Sequence, residues 1–131
     1  MASRSLDVLA QPVRIAALGL LRECELQGVE LLIYCTLRSN LEQADLYAIG
    51  RTKAGKILTN ARPGQSLHNP DESGQAWAFD AVPLLHGKTL FDDDAKLVTV
   101  GRLGEICGLE WAGRWSGKLK EKVHFQIRRK V

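Results

Sequence analysis

A single α+β domain is the fold class this sequence predicts, and three observations carry it. Segments of helical period and segments of strand character are interspersed without a regular strand–helix–strand alternation. The 131 residues are enough for one real core and too few for two. No internal repeat, low-complexity tract or linker interrupts them, so one domain is expected over residues 1–131.

The elements follow in order. Residues 11–27 read as a helix: Pro12 suits a first turn, Val13, Ala16, Ala17, Leu20 and Leu21 form a stripe of 3.6 period, and Gly28 is placed to stop it. "VELLIYCTL" (29–37) is short and β-rich, a buried strand. A second helix begins at Asn40, where Asn40 and Gln43 have capping-box spacing, and Gly50 closes it. Residues 51–69, rich in Gly, Pro, Asn and Thr, read as a long irregular loop, a kind of segment that in a compact domain usually carries function or disorder. "AWAFDAV" (76–82) reads as a strand stopped by Pro83. "DDAKLVTVGRLGEICG" reads as a helix with acidic residues at its start and Gly108 beyond its end, and "HFQIRR" as a final strand.

Composition narrows the function classes. The 45% hydrophobic and 25% charged residues are ordinary for a soluble globular protein, and no window approaches the ~18 apolar residues of a membrane helix. The N-terminal stretch lacks the basic-then-apolar pattern of an export signal, so synthesis in a cytoplasm without signal-directed export is expected. Cys24, Cys35 and Cys107 are odd in number and widely spaced, which fits reduced, buried thiols rather than a disulfide frame or a cysteine-rich metal site. The net charge of +3 is mild. Basic residues gather at Lys118–Lys122 and Arg128–Lys130, but no DNA-reading motif accompanies them, so a nucleic-acid partner is not expected.

The chemistry lies in "SLHNPDESGQAWAFD" (66–80) and "EKVHFQ" (121–126). A hydrolytic zinc site needs three nitrogen or oxygen ligands, an open position for water, and a carboxylate to take the water's proton. His68, Asp80 and His124 offer the ligands, and Glu121 stands three residues before His124. In an extended 76–82, Trp77 and Phe79 face one way while Ala76, Ala78 and Asp80 face the other, a small-residue face suited to close approach. In the last strand His124, Gln126 and Arg128 likewise share a face. On spacing alone, a lone His–Asp pair such as His68 and Asp80 is more often a loop hydrogen bond than a site, and Asp80 reads also as a cap.

Those two stretches resemble the D-alanyl-D-alanine carboxypeptidase and dipeptidase family of zinc peptidases, whose first motif is Ser-x-His-x-x-Gly-x-Ala-x-Asp. "GLEWAGRWSGKLKEKVHFQ" is similar to its second block, Gly-Leu-x-Trp-Gly-Gly-x-Trp followed by acid-x-x-His-Phe. "YCTLRSNLEQADLYAIGRTKAGKILTNARPGQSLHN" is similar to the lead-in of the phage endolysins of this family that cleave L-alanyl-D-glutamate bonds. The resemblance runs from Val29 to Gln126. It implies a small, mainly antiparallel sheet with flanking helices, shared with hedgehog-type domains, and zinc in a groove.

By the same resemblance His68, Asp80 and His124 are the zinc ligands and Glu121 the catalytic base. Arg38 stabilises the oxyanion, Ser66, Gln43 and Trp115 lie near the substrate, and Trp111 joins Trp115 in walling the cleft. Gln43 also keeps its capping reading, and His86 matches no family residue and reads as a loop histidine. The family usually has six residues between its His and Asp, where this chain has eleven. The extra segment brings Asp71 and Glu72 as rival carboxylates, expected to bulge outward as a lip. The implied function is cleavage of the peptidoglycan stem peptide, first of all at L-Ala–D-Glu. The enzyme would act as a monomeric endolysin that waits in the host cytoplasm for holin-mediated release, without membrane insertion and without a separate wall-binding domain. A D-Ala-D-Ala carboxypeptidase or dipeptidase is the alternative within the family, and a zinc-bearing module without catalysis the alternative outside it.

Overall fold

The computed structural model describes residues 2–117, 120–129; the basic-run residues Lys118 and Lys130 lie outside the described residues. A short 3-10 turn (Leu6–Val8) leads into α1 (Gln11–Leu26), where Pro12 occupies the first turn. Gly28, at φ +72°, reverses the chain, and the Val29 amide reaches back to the Cys24 carbonyl. Then follow β1 (Glu30–Cys35), α2 (Asn40–Ala48), β2 (Ala78–Leu85), β3 (Lys88–Thr89), α3 (Asp94–Ile106), β4 (Glu110–Trp111) and β5 (His124–Gln126). The α+β expectation is met.

The sheet runs in the order β1-β2-β5-β4, with β3 folded back on β2, and every named pair is antiparallel. β2 is central, pairing with both β1 and β5. α1 and α3 cover one face, with Val13, Leu20, Phe79, Val100, Trp111 and Phe125 in one core cluster. Phe79 and Phe125 lie opposite each other in the register and stack at 5.4 Å. α3 can approach this closely because it carries glycines there: a Cβ on Gly101 would sit 2.2 Å from the Trp111 ring, and one on Gly104 2.5 Å from Phe125.

Two local expectations are corrected. Pro83 does not stop the second strand, because β2 continues through it to Leu85, with Pro83 opposite Leu31 and the Leu90 amide bonded to its carbonyl. The turn comes at His86–Gly87, both at positive φ, which is how a tight hairpin matches the strand twist. His86 is an exposed turn residue. The capping box of α2 is formed by Ser39 and Glu42, not by Asn40 and Gln43: Ser39 Oγ accepts the Glu42 amide at 3.0 Å, and Glu42 accepts the Ser39 amide at 2.9 Å. The one-residue difference frees Gln43 for another task.

Candidate metal centre

Strand pairing brings the sequence-distant residues together. Asp80 and His124 are direct partners in the β2–β5 register, so their side chains leave the same face of the sheet, opposite the Phe79–Phe125 stack. A register irregularity between Ile33 and Cys35, across from Asp80, disturbs the regular pairing beside the site. His68 arrives from the long loop, whose end is stitched down by several bonds. Its carbonyl accepts the Arg38 amide at 2.8 Å, and the buried Asn69 side chain holds the Gly64 and Ser66 amides and the Arg38 carbonyl. Ser66 Oγ accepts the His68 amide at 3.1 Å.

Three atoms then form a nearly equilateral triangle. His68 Nε2 lies 3.2 Å from Asp80 Oδ1 and 3.2 Å from His124 Nδ1, and His124 Nδ1 lies 3.2 Å from Asp80 Oδ1. A tetrahedral zinc with ligands at about 2.0–2.1 Å requires donors about 3.3–3.4 Å apart. The triangle has that edge.

The far side of each imidazole says which atoms face inward. His68 Nδ1 sits 2.8 Å from the Thr36 carbonyl, which only accepts, so Nδ1 carries the hydrogen and Nε2 presents its lone pair. His124 Nε2 lies 2.8 Å from Gln126 Oε1, which leaves Nδ1 as its inward lone pair. Two lone pairs and a carboxylate oxygen converging on one point need a cation between them. Without a metal, a proton on His68 would meet that need. Burial opposes charge on His68, but Asp80 beside it lifts its pKa to about 10. Burial likewise opposes charge on Asp80, yet the two histidines hold its pKa well below the usual carboxylate range. The donor set of two imidazoles and one carboxylate suits zinc.

Glu121 stands just outside the triangle. Its Oε2 is 3.7 Å from His124 Nδ1 and its side chain is 51% exposed, which places a carboxylate on the open side. Arg38 lies on another side, mostly buried, with Nη2 4.0 Å from Asp80 Oδ2 and 3.5 Å from Cys35 Sγ. Cys35 is a buried free thiol, as expected, and with His68 and Asp80 it could make a second donor set. Its Sγ, however, is 3.7 Å from His68 Nδ1, the nitrogen already engaged by Thr36.

A groove of about 1240 Å³ opens over the centre, lined among others by Arg38, Ser66, Trp115 and Glu121. Gln43, expected near the substrate, and Trp111, expected in the wall, are elsewhere. Gln43 is fully buried behind Arg38, its Oε1 accepting Arg38 Nη1 at 3.0 Å and its Nε2 donating to the Ala61 carbonyl at 2.8 Å, so both ends of its amide are used. Trp111 belongs to the core, its indole donating to the Lys122 carbonyl. The rival carboxylates are also occupied. Asp71 accepts the Ser73 and Gln75 amides and the Trp77 indole, and Glu72, at the surface, pairs with Arg129 at 3.5 Å. The pattern reading missed Asn69 and Glu110. Only Gln126 had a visible signal, its shared strand face with His124.

Known proteins resemble this chain both in sequence and in fold. No protein-family model matches the sequence. The peptidoglycan L-alanyl-D-glutamate endopeptidase CwlK of Bacillus subtilis is 32% identical over 109 residues, 77% of this chain and 62% of that protein. The chain thus spans less than two thirds of the length of this relative. Among solved structures, the L-Ala D-Glu endopeptidase ChiX of Serratia marcescens superposes with a TM-score of 0.60 at 21% identity, covering 98% of this chain and 89% of that one. The family resemblance is borne out. The chain is related in sequence to an L-alanyl-D-glutamate endopeptidase and shares its α+β fold with another.

Proposed function

We propose that the protein is a zinc-dependent peptidoglycan peptidase that cleaves the stem peptide at the L-Ala–D-Glu bond. The observation that carries this reading is the triangle of His68 Nε2, Asp80 Oδ1 and His124 Nδ1, 3.2 Å on every side, with the carboxylate of Glu121 beside its open face. The relationship to peptidases of that named specificity supports the choice of bond.

His68, Asp80 and His124 would hold the ion. Bound there, zinc would polarise the scissile carbonyl and lower the pKa of a water towards ~7. Glu121 takes the proton of the attacking water as oxygen bonds to the carbonyl carbon, and returns it to the leaving amine as the C–N bond breaks. Arg38, positioned by Gln43, brings a fixed guanidinium to the groove, where charge developing on the carbonyl oxygen is met without reorganisation. Trp115, whose ring lies 5.8 Å from that of His124, supplies a flat wall for the substrate, with Ser66 near it in the groove. A module without catalysis would have no use for a carboxylate at Glu121. The lysis role, with a holin releasing the enzyme to the wall, rests on the resemblance of residues 34–69 to phage endolysins. Among the described residues no helix is long and apolar enough to cross a membrane.

Digestion of purified sacculi followed by mass spectrometry tests the reading. New amino termini on D-Glu, with glycan strands uncut, are expected. Release of free D-alanine alone would move the protein to the carboxypeptidases, and new reducing sugar ends would refute a peptidase.

A further inference from the structure

Glu110 never touches the triangle, yet Gln126 beside His124, the Trp115 wall and the exposed Arg128 all converge on it. Its Oε1 accepts Gln126 Nε2 at 2.9 Å and Arg128 Nε at 2.9 Å, and its Oε2 accepts Trp115 Nε1 at 2.9 Å and Arg128 Nη2 at 3.1 Å. Direction follows from donor chemistry. An ionised carboxylate only accepts, so Gln126 must turn its NH₂ to Glu110 and its carbonyl oxygen to His124. That oxygen, 2.8 Å from His124 Nε2, in turn requires Nε2 to carry the hydrogen. The inward-facing Nδ1 lone pair of His124 is therefore dictated from Glu110, two hydrogen bonds away.

We propose that Glu110 is the positioning residue of this centre, setting the tautomer and ring orientation of His124 through Gln126 while anchoring the Trp115 wall with its other oxygen. The inference rests on the metal-site reading above. It takes the arrangement further than the direct contact His68 makes with the Thr36 carbonyl, because one charged side chain here serves both ligand and groove. Partners of this kind raise ligand basicity, and losing one typically costs about 10- to 100-fold in metal affinity. The Arg128 pair, on the solvent side with Arg128 72% exposed, neutralises Glu110 without entering the relay.

The test is zinc titration of the metal-free protein against a competing chelator, for the wild type and for Glu110→Gln, Glu110→Ala and Arg128→Ala. Circular dichroism would confirm folding. Expected is a loss of about tenfold or more in zinc affinity for both Glu110 variants and an unchanged affinity for Arg128→Ala. Nitrogen-15 NMR of the zinc-loaded wild type should show His124 bound through Nδ1 with a slowly exchanging Nε2–H, exchanging faster in Glu110→Gln. Should Glu110→Ala fail to fold, Glu110→Gln, equal in size, decides. Wild-type affinity in Glu110→Gln, or an equal loss in Arg128→Ala, would overturn the inference and leave the site reading intact. A wild type that does not bind zinc would overturn both.

Discussion

The two sides of the groove are built differently. On one, β2 and β5 present Asp80 and His124 as register partners on a sheet whose other face is filled by the stacked Phe79 and Phe125. On the other, residues 51–65 form an irregular strap that places Ile57 and Leu58 at the groove while leaving them 56% and 61% exposed. The strap is held at isolated points. Arg51 lies 3.8 Å over the Tyr47 ring and donates to the Thr59 carbonyl at 3.0 Å, and Gln43 secures Ala61. The difference teaches a division of labour. Metal geometry must hold within a fraction of an ångström, so it belongs to paired strands, whereas a peptide is gripped by side chains that gain burial only when it arrives.

The largest effects should follow from breaking the rigid side. Asp80→Ala or His124→Ala should abolish tight zinc binding and hydrolysis together. Asp71→Ala and Glu72→Ala, carboxylates of the loop, should leave the metal content measured by emission spectroscopy unchanged. Glu121→Ala should keep about one zinc per chain and lose hydrolysis by about 10²- to 10⁴-fold. Loss of the metal in that variant would contradict the separation of ligand from base. Beneath the site, Gly101→Ala should destabilise the fold by about 1–3 kcal/mol in denaturant melts, since its Cβ has no room beside Trp111.

Much of the rigid side was legible in the sequence, and little of the strap. Alternation in 76–82 put Asp80 on a small-residue face, and the same rule set His124 apart from Phe125, because side-chain direction in a strand is a local property with period two. The end of the strand was misread at Pro83, where the sheet accommodates a residue without an amide hydrogen and hairpin geometry at His86–Gly87 sets the turn. The capping box was displaced by one residue because Ser39 and Asn40 are both good caps, and only the burial of Gln43 behind Arg38 chooses between them. Glu110 was illegible for a different reason. Its role comes from the β4–β5 pairing, which sets Glu110 opposite Gln126, and no local pattern encodes that juxtaposition.

A pH series sharpens the comparison further. In the metal-free protein the pKa of His68 lies at about 10, above its ordinary 6.5, so its ion pair with Asp80 stabilises the fold fully below about 6.5 and is lost as pH rises towards 10. Asp80, with its pKa lowered, contributes stability above the ordinary carboxylate range and loses it only in strong acid. Melting temperatures of the metal-free protein should therefore fall between pH 7 and pH 10, and zinc affinity should rise over the same interval as the competing proton leaves. A metal-free protein of constant stability across that interval would remove the proton from the centre.

Smaller effects belong to the strap. Ile57→Ala and Leu58→Ala should each raise KM by about 3- to 10-fold with kcat nearly unchanged, as loss of uniform binding requires. Smallest of all, neutralising Arg128 and Arg129 should lower activity on whole sacculi more than on a soluble stem peptide, by an amount that shrinks above ~0.15 M salt. Equal effects on both substrates would make them surface charges only.

X-ray absorption of the zinc-loaded protein tests the central claim most directly, because it counts the atoms on the metal. Two imidazole nitrogens and only oxygen besides are expected, all at about 2.0–2.2 Å. A sulfur at about 2.3 Å would place the ion on Cys35, His68 and Asp80 instead, and would contradict the site on which the proposed chemistry stands.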